Sequence, residues 1–156
     1  MVQLGRILFA VSLIAAISAT PTKRTVAQVE ADLTGISSDI GDLNTRVKGF
    51  PASGLTGALG IHTAAETLMT ALTQGKNDIT STGSIDAADA TTILNSLQGL
   101  QPSIQDTLNR LVAEKASFVI SAALPVSGVP ALVLADLQNL KNNSTAFGAA
   151  LAGSVP

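Results

Sequence analysis

The chain reads as an all-α protein, an antiparallel bundle of four to five amphipathic helices. Three observations carry that reading. Apolar residues recur at alternating steps of three and four through most of the sequence, the spacing of one helix face. No stretch shows the two-residue alternation of a half-buried strand. Helix-start and helix-stop residues separate the periodic stretches, so connections are short and successive helices reverse direction.

The first segment stands apart from the bundle. Arg6 precedes a short apolar run, Ile7 to Ile17, and the small residues Ser18 and Ala19 follow. This is the layout of a secretory signal peptide over 1–19, and the run is too short to span a bilayer comfortably. A short pro-segment, 20–24, ends in the dibasic pair Lys23-Arg24, of the kind that fungal processing proteases cut. Cleavage there leaves 25–156 as the bundle domain. It removes Arg6, Lys23 and Arg24 and none of the 11 acidic residues, so the remaining chain is distinctly acidic.

The first helix is the clearest element. Val26, Val29, Leu33, Ile36, Ile40, Leu43, Val47 and Phe50 form one seam without a miss. Thr25 and Gln28 have capping-box spacing. Arg46 and Lys48 suit the negative end of the helix dipole, and Gly49 with Pro51 stops the helix.

A second helix falls within 54–79, started either at Ser53 or at the Thr63/Glu66 capping box, with Ala58, Ile61, Ala65, Leu68, Leu72 and Ile79 on its face. Thr80 to Ser84 reads as a polar loop. Ser84 caps a third helix, faced by Ile93, Leu97 and Leu100, with Asp86 and Asp89 near its positive end. Pro102 disfavours helix at Gln101 and suits the first turn of a new one. That fourth helix carries Ile104, Leu108, Leu111, Phe118 and Val119, with Lys115 on the same face reaching round to solvent. Ser121 to Pro130, with two prolines and a glycine, is a loop whose Val126 and Val129 are apolar for a connector. The expectation is packing beneath it, with an exposed binding patch as the alternative. The last helix shows Val133, Leu137, Leu140, Phe147 and Leu151, with Ser144 in the seam.

Composition excludes several chemistries. Cysteine is absent, so no disulfide, thiolate metal site or cysteine nucleophile forms. Tryptophan and tyrosine are absent, which removes the ring platforms that stack bases or sugars. A sequence pI near 5.1 argues against a nucleic-acid partner. His62 is the only histidine, too few for a metal site without other nitrogen or sulfur ligands. It reads as a hydrogen-bonded structural residue, and no Gly-x-Ser-x-Gly elbow offers it a nucleophile. Asp39/Asp42 and Asp86/Asp89 are i, i+3 pairs of the kind found on solvated faces. Asn142 and Asn143 head two overlapping glycosylation sequons. Nothing calls for a cofactor or metal, and no integral membrane anchor is expected.

Several motifs recur in a fixed order. The first helix reads V-x-x-V-x-x-x-L-x-x-I-x-x-x-I-x-x-L. D-A-x-x-x-x-I-L follows at Asp89–Leu94, then L-x-x-L-x-x-x-K-x-x-F through Leu108, Leu111, Lys115 and Phe118, then L-x-x-L-K from Leu137 to Lys141 with Phe147 beyond. Together they resemble the fungal hydrophobic surface-binding protein A family, which includes cell-wall galactomannoproteins, over nearly all of 25–153. The resemblance implies a secreted, non-enzymatic, all-helical protein of the extracellular space or cell wall. Its members adsorb to hydrophobic surfaces, help recruit secreted esterases to them, or hold fatty acids in an apolar bundle interior. Many relatives continue into a further helix past the position of Val155-Pro156, so a cavity here would lack one wall.

On that expectation a lipid is held by burial of alkyl surface against the helix seams. The candidate lining is Leu33, Ile36, Ile40, Leu43, Ile61, Leu68, Met69, Leu72, Leu97, Leu108, Leu111, Phe118, Leu137, Leu140 and Phe147. Each also suits plain core, because a core stripe has the same spacing. Met69 stands out for its adaptable thioether. The rival reading is a structural wall mannoprotein without a specific ligand.

Overall fold

The computed structural model describes residues 25–120 and 128–155. The expected signal peptide, the Lys23-Arg24 pair and Val126 lie outside the described residues. Five helices follow in order, and no strand occurs among the described residues: α1 (Val26–Gly49), α2 (Gly54–Thr82), α3 (Ala87–Ala113), α4 (Lys115–Ile120) and α5 (Val129–Ser154).

The α1 seam is the centre of the core. Val29, Leu33, Ile36, Ile40, Leu43 and Val47 are all buried, and Phe50 is buried just past the helix end. The capping box does not form. Thr25 makes no side-chain cap, and the Gln28 amide turns forward to Asp32 Oδ1 at 3.4 Å. The Thr25 carbonyl still starts the helix by accepting from Gln28 N at 2.9 Å.

Two elements run longer than their sequence suggests. Helix α2 passes through Thr80, Ser81 and Thr82 before Gly83, at φ 77°, ends it. The threonine hydroxyls donate back to carbonyls one turn earlier, Thr80 to Lys76 O and Thr82 to Asp78 O, both at 2.8 Å. A polar segment thereby satisfies itself inside a helix. Helix α3 runs straight through Pro102. Proline removes the amide that would bond the Gln98 carbonyl, but Gln98, Gln101, Pro102 and Ser103 are all exposed, so water can serve that carbonyl. The break falls at Glu114, which splits the expected fourth helix between α3 and α4.

Two starts also move. The cap of α3 is Asp86 and not Ser84. Its carboxylate accepts from Ala88 N at 2.9 Å and Asp89 N at 3.0 Å. Helix α5 begins at Val129, inside the segment expected to be loop, with Gly128 at φ 126° before it and Pro130 in its first turn, a position proline tolerates. Val129 is buried.

The four long helices form a bundle with an unequal set of neighbours. Helix α1 packs on α2 and α3, α2 packs on α5, and the short α4 touches α3 and α5. Helices successive in the chain reverse direction. Those packed side by side do not always do so. His62 meets Asp136, Thr73 meets Asn143 and Gly75 faces Phe147, so α2 and α5 ascend together. By the same reversal rule α1 and α3 share a direction. No Cα of α3 comes within 8 Å of a Cα of α5. Among the described residues the ring α3–α1–α2–α5 is therefore open on one side.

Close approach on that ring depends on Gly75. The Phe147 ring of α5 lies over it, and a Cβ there would sit 2.8 Å from Phe147 Cε2. At the far end Phe118 of α4 stacks on Phe50, with centroids 4.2 Å apart. Gly75→Ala should destabilise the protein by about 1–2 kcal/mol, because overpacking outweighs the gain in helix propensity. Gly41→Ala meets nothing within 4 Å and should stabilise by about 0.5–1 kcal/mol. Urea unfolding of the two variants checks the opposite signs.

Candidate functional site

Most of the expected lining is core. Leu33, Ile36, Ile40, Leu43, Ile61, Leu68, Leu72, Leu111, Phe118 and Phe147 are buried. Met69, Leu97, Leu137 and Leu140 are half-buried, and Leu108 is exposed. Only Leu97 of this set lines the cleft that separates α3 from α5.

That cleft has a volume of about 300 Å³. Ala90, Thr91, Ile93, Leu94 and Leu97 of α3 form one wall, and Leu151 and Ala152 of α5 with Val155 form the other. Thr91 is the one polar side chain. The closed end is set by the Ile85 amide, which donates to the Ser154 carbonyl at 2.8 Å. This bond satisfies a carbonyl in the last turn of α5 that has no partner within its own helix. Ile85 itself is buried beneath the end of the bundle.

From the cleft the apolar walls continue along both helices. On α3, Leu94 and Leu97 are followed at helical spacing by Ile104, Leu108 and Val112, and Leu94, Ile104, Leu108 and Val112 are all exposed. This row is distinct from the row Ile93, Leu100, Thr107 and Leu111, which is buried. On α5, Leu134 is exposed and Leu137 half-buried on the flank that carries Ala152 and Val155. Helix α3 therefore has an apolar face wider than α1 can cover. The seam spacing singled out Leu97 and Leu108 and missed Leu94, Ala90, Leu151, Ala152 and Val155 as a site. The usable signal was the doubling of apolar residues at Ile93-Leu94 and Leu111-Val112.

Met69 sits elsewhere. It lines a depression of about 380 Å³ on α2 with Glu66, Thr70, Thr73 and Gln74, beside the His62 and Thr73 links to α5. All five residues belong to one helix and four are polar, so an alkyl chain there would have a single, mostly hydrated wall.

Polar links hold the two flanking helices. On one side Asn44 of α1, buried, donates through Nδ2 to Asp106 Oδ2 of α3 at 3.0 Å. Arg110 Nε at 3.1 Å and Lys48 Nζ at 3.5 Å complete the cluster. The Asn44 and Arg110 hydrogen bonds hold the Asp106 carboxyl below its ordinary pKa. On the other side His62 Nδ1 donates to Asp136 Oδ2 at 2.9 Å, and Glu66 Oε1 lies 3.5 Å from Nε2. The hydrogen bond to Asp136 raises the His62 pKa above its ordinary 6.5, against a smaller opposing effect of burial. Thr73 donates to Asn143 Oδ1 at 3.0 Å, while Asn143 Nδ2 donates to Asn139 O at 2.9 Å. Asn142, the other sequon residue, is exposed. Among the described residues no cluster of three or more histidine, aspartate or glutamate side chains could hold a metal ion.

The model of the hydrophobic surface binding protein A family matches residues 26–153. The chain belongs to that family. It is similar to a solved structure, AfMP4p in complex with palmitic acid, with 32% identity and a TM-score of 0.76 over 85% of this chain and 83% of that one. No curated protein sequence matches it significantly. The family assignment accounts for the bundle. No helix among the described residues is long and apolar enough to cross a membrane.

The His62–Asp136 link predicts a pH dependence with a definite sign. A histidine whose pKa is higher folded than unfolded stabilises the fold below its unfolded value, and that contribution disappears as pH rises through the folded value. The melting temperature should therefore fall as pH rises above the ordinary histidine value of 6.5, and His62→Gln should flatten that slope. Thermal melts followed by circular dichroism across the range check this.

Proposed function

We propose that this protein binds the alkyl part of fatty acids, or of other hydrophobic material, in the groove between α3 and α5. One observation supports the reading above others. Leu94 and Leu97 of α3 stand across a gap from Leu151 and Val155, with no close approach of the α3 and α5 backbones, and Ile104 and Leu108 extend the exposed apolar row along α3. Leu94, Ile104, Leu108 and Val112 of α3 and Leu134 of α5 are left exposed, and a contiguous apolar strip of this kind marks a place for a hydrophobic partner. The likeness to AfMP4p, solved with palmitic acid, supports a single alkyl chain as that partner.

The physics is removal of apolar surface from water, worth about 25 cal/mol per Å². A cleft of about 300 Å³ lies at the lower end of small-molecule sites, but it is open along its length. The same groove can close over a soluble fatty acid or lie against a hydrophobic surface. Both are adsorption, and the reading gives no residue a catalytic part.

The reading extends to an exported protein of the extracellular space or cell wall, in keeping with the signal-like Ile7 to Ile17 run and the Lys23-Arg24 pair. Exposed Asn142 supports it as the glycan acceptor, since the Asn143 carboxamide is engaged at both ends. Recruitment of a secreted esterase to a coated surface is a further part of this reading. An acidic chain with an adhesive groove leaves its other faces free for such a partner.

Because Leu94 and Leu108 are exposed, polar replacements there should leave the fold intact. The double variant Leu94→Gln/Leu108→Gln should bind palmitate at least tenfold more weakly, since each leucine contributes about 1.5 kcal/mol or more when covered. Fluorescent fatty-acid displacement measures this, and an unchanged melting temperature establishes folding. Met69→Gln, by contrast, should bind palmitate as the parent does.

A further inference from the structure

The groove has an apolar closed end and a polar break midway. Along α3 the apolar row beside the gap runs Leu94, Leu97, Gln101, Ile104, Leu108, so Gln101 interrupts it. Along α5 the seam runs Leu137, Leu140, Ser144, Phe147, Leu151, so Ser144 interrupts it. Leu94 and Leu151 face one another across the cleft, and the two helices are antiparallel. Seven residues forward on α3 and seven back on α5 reach the same height. Gln101 and Ser144, both exposed, are therefore level with each other on opposite walls.

Lys141 lies one turn from Ser144 on the same helix. It also lies eleven residues, three turns, before Ala152 of the cleft wall, which brings it to the same flank of α5. It is exposed and is the single basic residue of α5. Among the described residues Arg110 and Lys48 both hold Asp106 on the α1 side, and Lys115 stands on α4 at the end away from Leu94 and Leu151. Lys141 makes no ion pair with a described residue, its nearest acids being drawn elsewhere: Asp136 is bound to His62. The closed end has the opposite character. Asp86 and Asp89 stand at the start of α3, where they oppose a bound carboxylate.

We propose that Lys141 anchors the head group of an anionic amphiphile. Its ammonium pairs with the carboxylate at the level of Gln101 and Ser144, and the alkyl tail lies between α3 and α5 toward Leu94 and Leu151. This assignment rests on the groove reading above and adds an orientation and a preference for a negative head. The distance is suitable. From Ser144 to Val155 the helix rises roughly 16–17 Å, so most of an extended sixteen-carbon chain lies between the walls. A neutral ester or alcohol of the same length would fill the walls equally and leave the ammonium without its counter-charge.

Competitive displacement of a fluorescent fatty acid tests the assignment, using palmitate and methyl palmitate on the full protein, Lys141→Gln and Lys141→Arg. Lys141→Gln should weaken palmitate by about fivefold, the size of an exposed ion pair, and leave methyl palmitate unchanged. Lys141→Arg should restore palmitate, and the parent's preference for palmitate should shrink as salt is raised. Equal effects on both ligands, or no effect on either, would overturn the anchor while leaving the groove in place. Failure of the parent protein to bind either ligand would overturn the groove reading and the anchor together.

Discussion

The bond between the Ile85 amide and the Ser154 carbonyl fixes the relation on which the rest of the molecule depends. Only Gly83 to Asp86 connect α2 to α3, and they must carry the chain from one side of the bundle to the other. They pass under the end of α5, bury Ile85 there and tie off the last turn of that helix. Helix α3 then emerges beside α1 and not beside α2. The two helices that would complete a closed ring are joined at this end and bridged by α4 at the other, and they stand apart between. An unfilled side in a four-helix ring is costly in a soluble protein unless something covers it. Here both walls are apolar.

The two outer helices are held by different means. Asn44, Lys48 and Arg110 gather on Asp106 and secure α3 against α1. His62 and Thr73 secure α5 against α2 through Asp136 and Asn143. Phe147, lying over Gly75 and touching the space beside Ile36, supplies the apolar part of that second contact. These links fix each outer helix to its inner neighbour and leave the spacing across the groove to whatever occupies it. That division suits a site that must take hydrophobic partners of varying bulk. It also explains why α1 and α2 make poor candidates for ligand contact despite their regular seams: their leucines and isoleucines already have partners.

Much of the fold was legible because α1 obeys one spacing without exception. A seam of that quality fixes a helix, its face and its need for partners. Pro102 misled because the rule about the residue before proline describes a steric preference, and an exposed position can meet it with water instead of a break. Asp86 displaced Ser84 as cap because both fit the pattern and only backbone geometry decides between them. The polar links were not legible. Nothing in sequence joins Asn44 to Asp106 or His62 to Asp136 across 62 and 74 residues. The groove was half visible. Spacing marks one stripe per helix, and α3 has two, one facing α1 and one facing the gap. Only the packing order α3–α1–α2–α5 tells which of them lacks a partner.

The central claim is that an alkyl chain lies between α3 and α5. Nuclear magnetic resonance with a nitroxide-labelled fatty acid tests it without altering the protein. The label should broaden the methyl signals of Leu94, Leu97, Leu151 and Val155, with little change at Met69, which lines a separate depression on α2. Broadening confined to Met69, or absent from all of these methyls while the fatty acid is bound, would contradict the account.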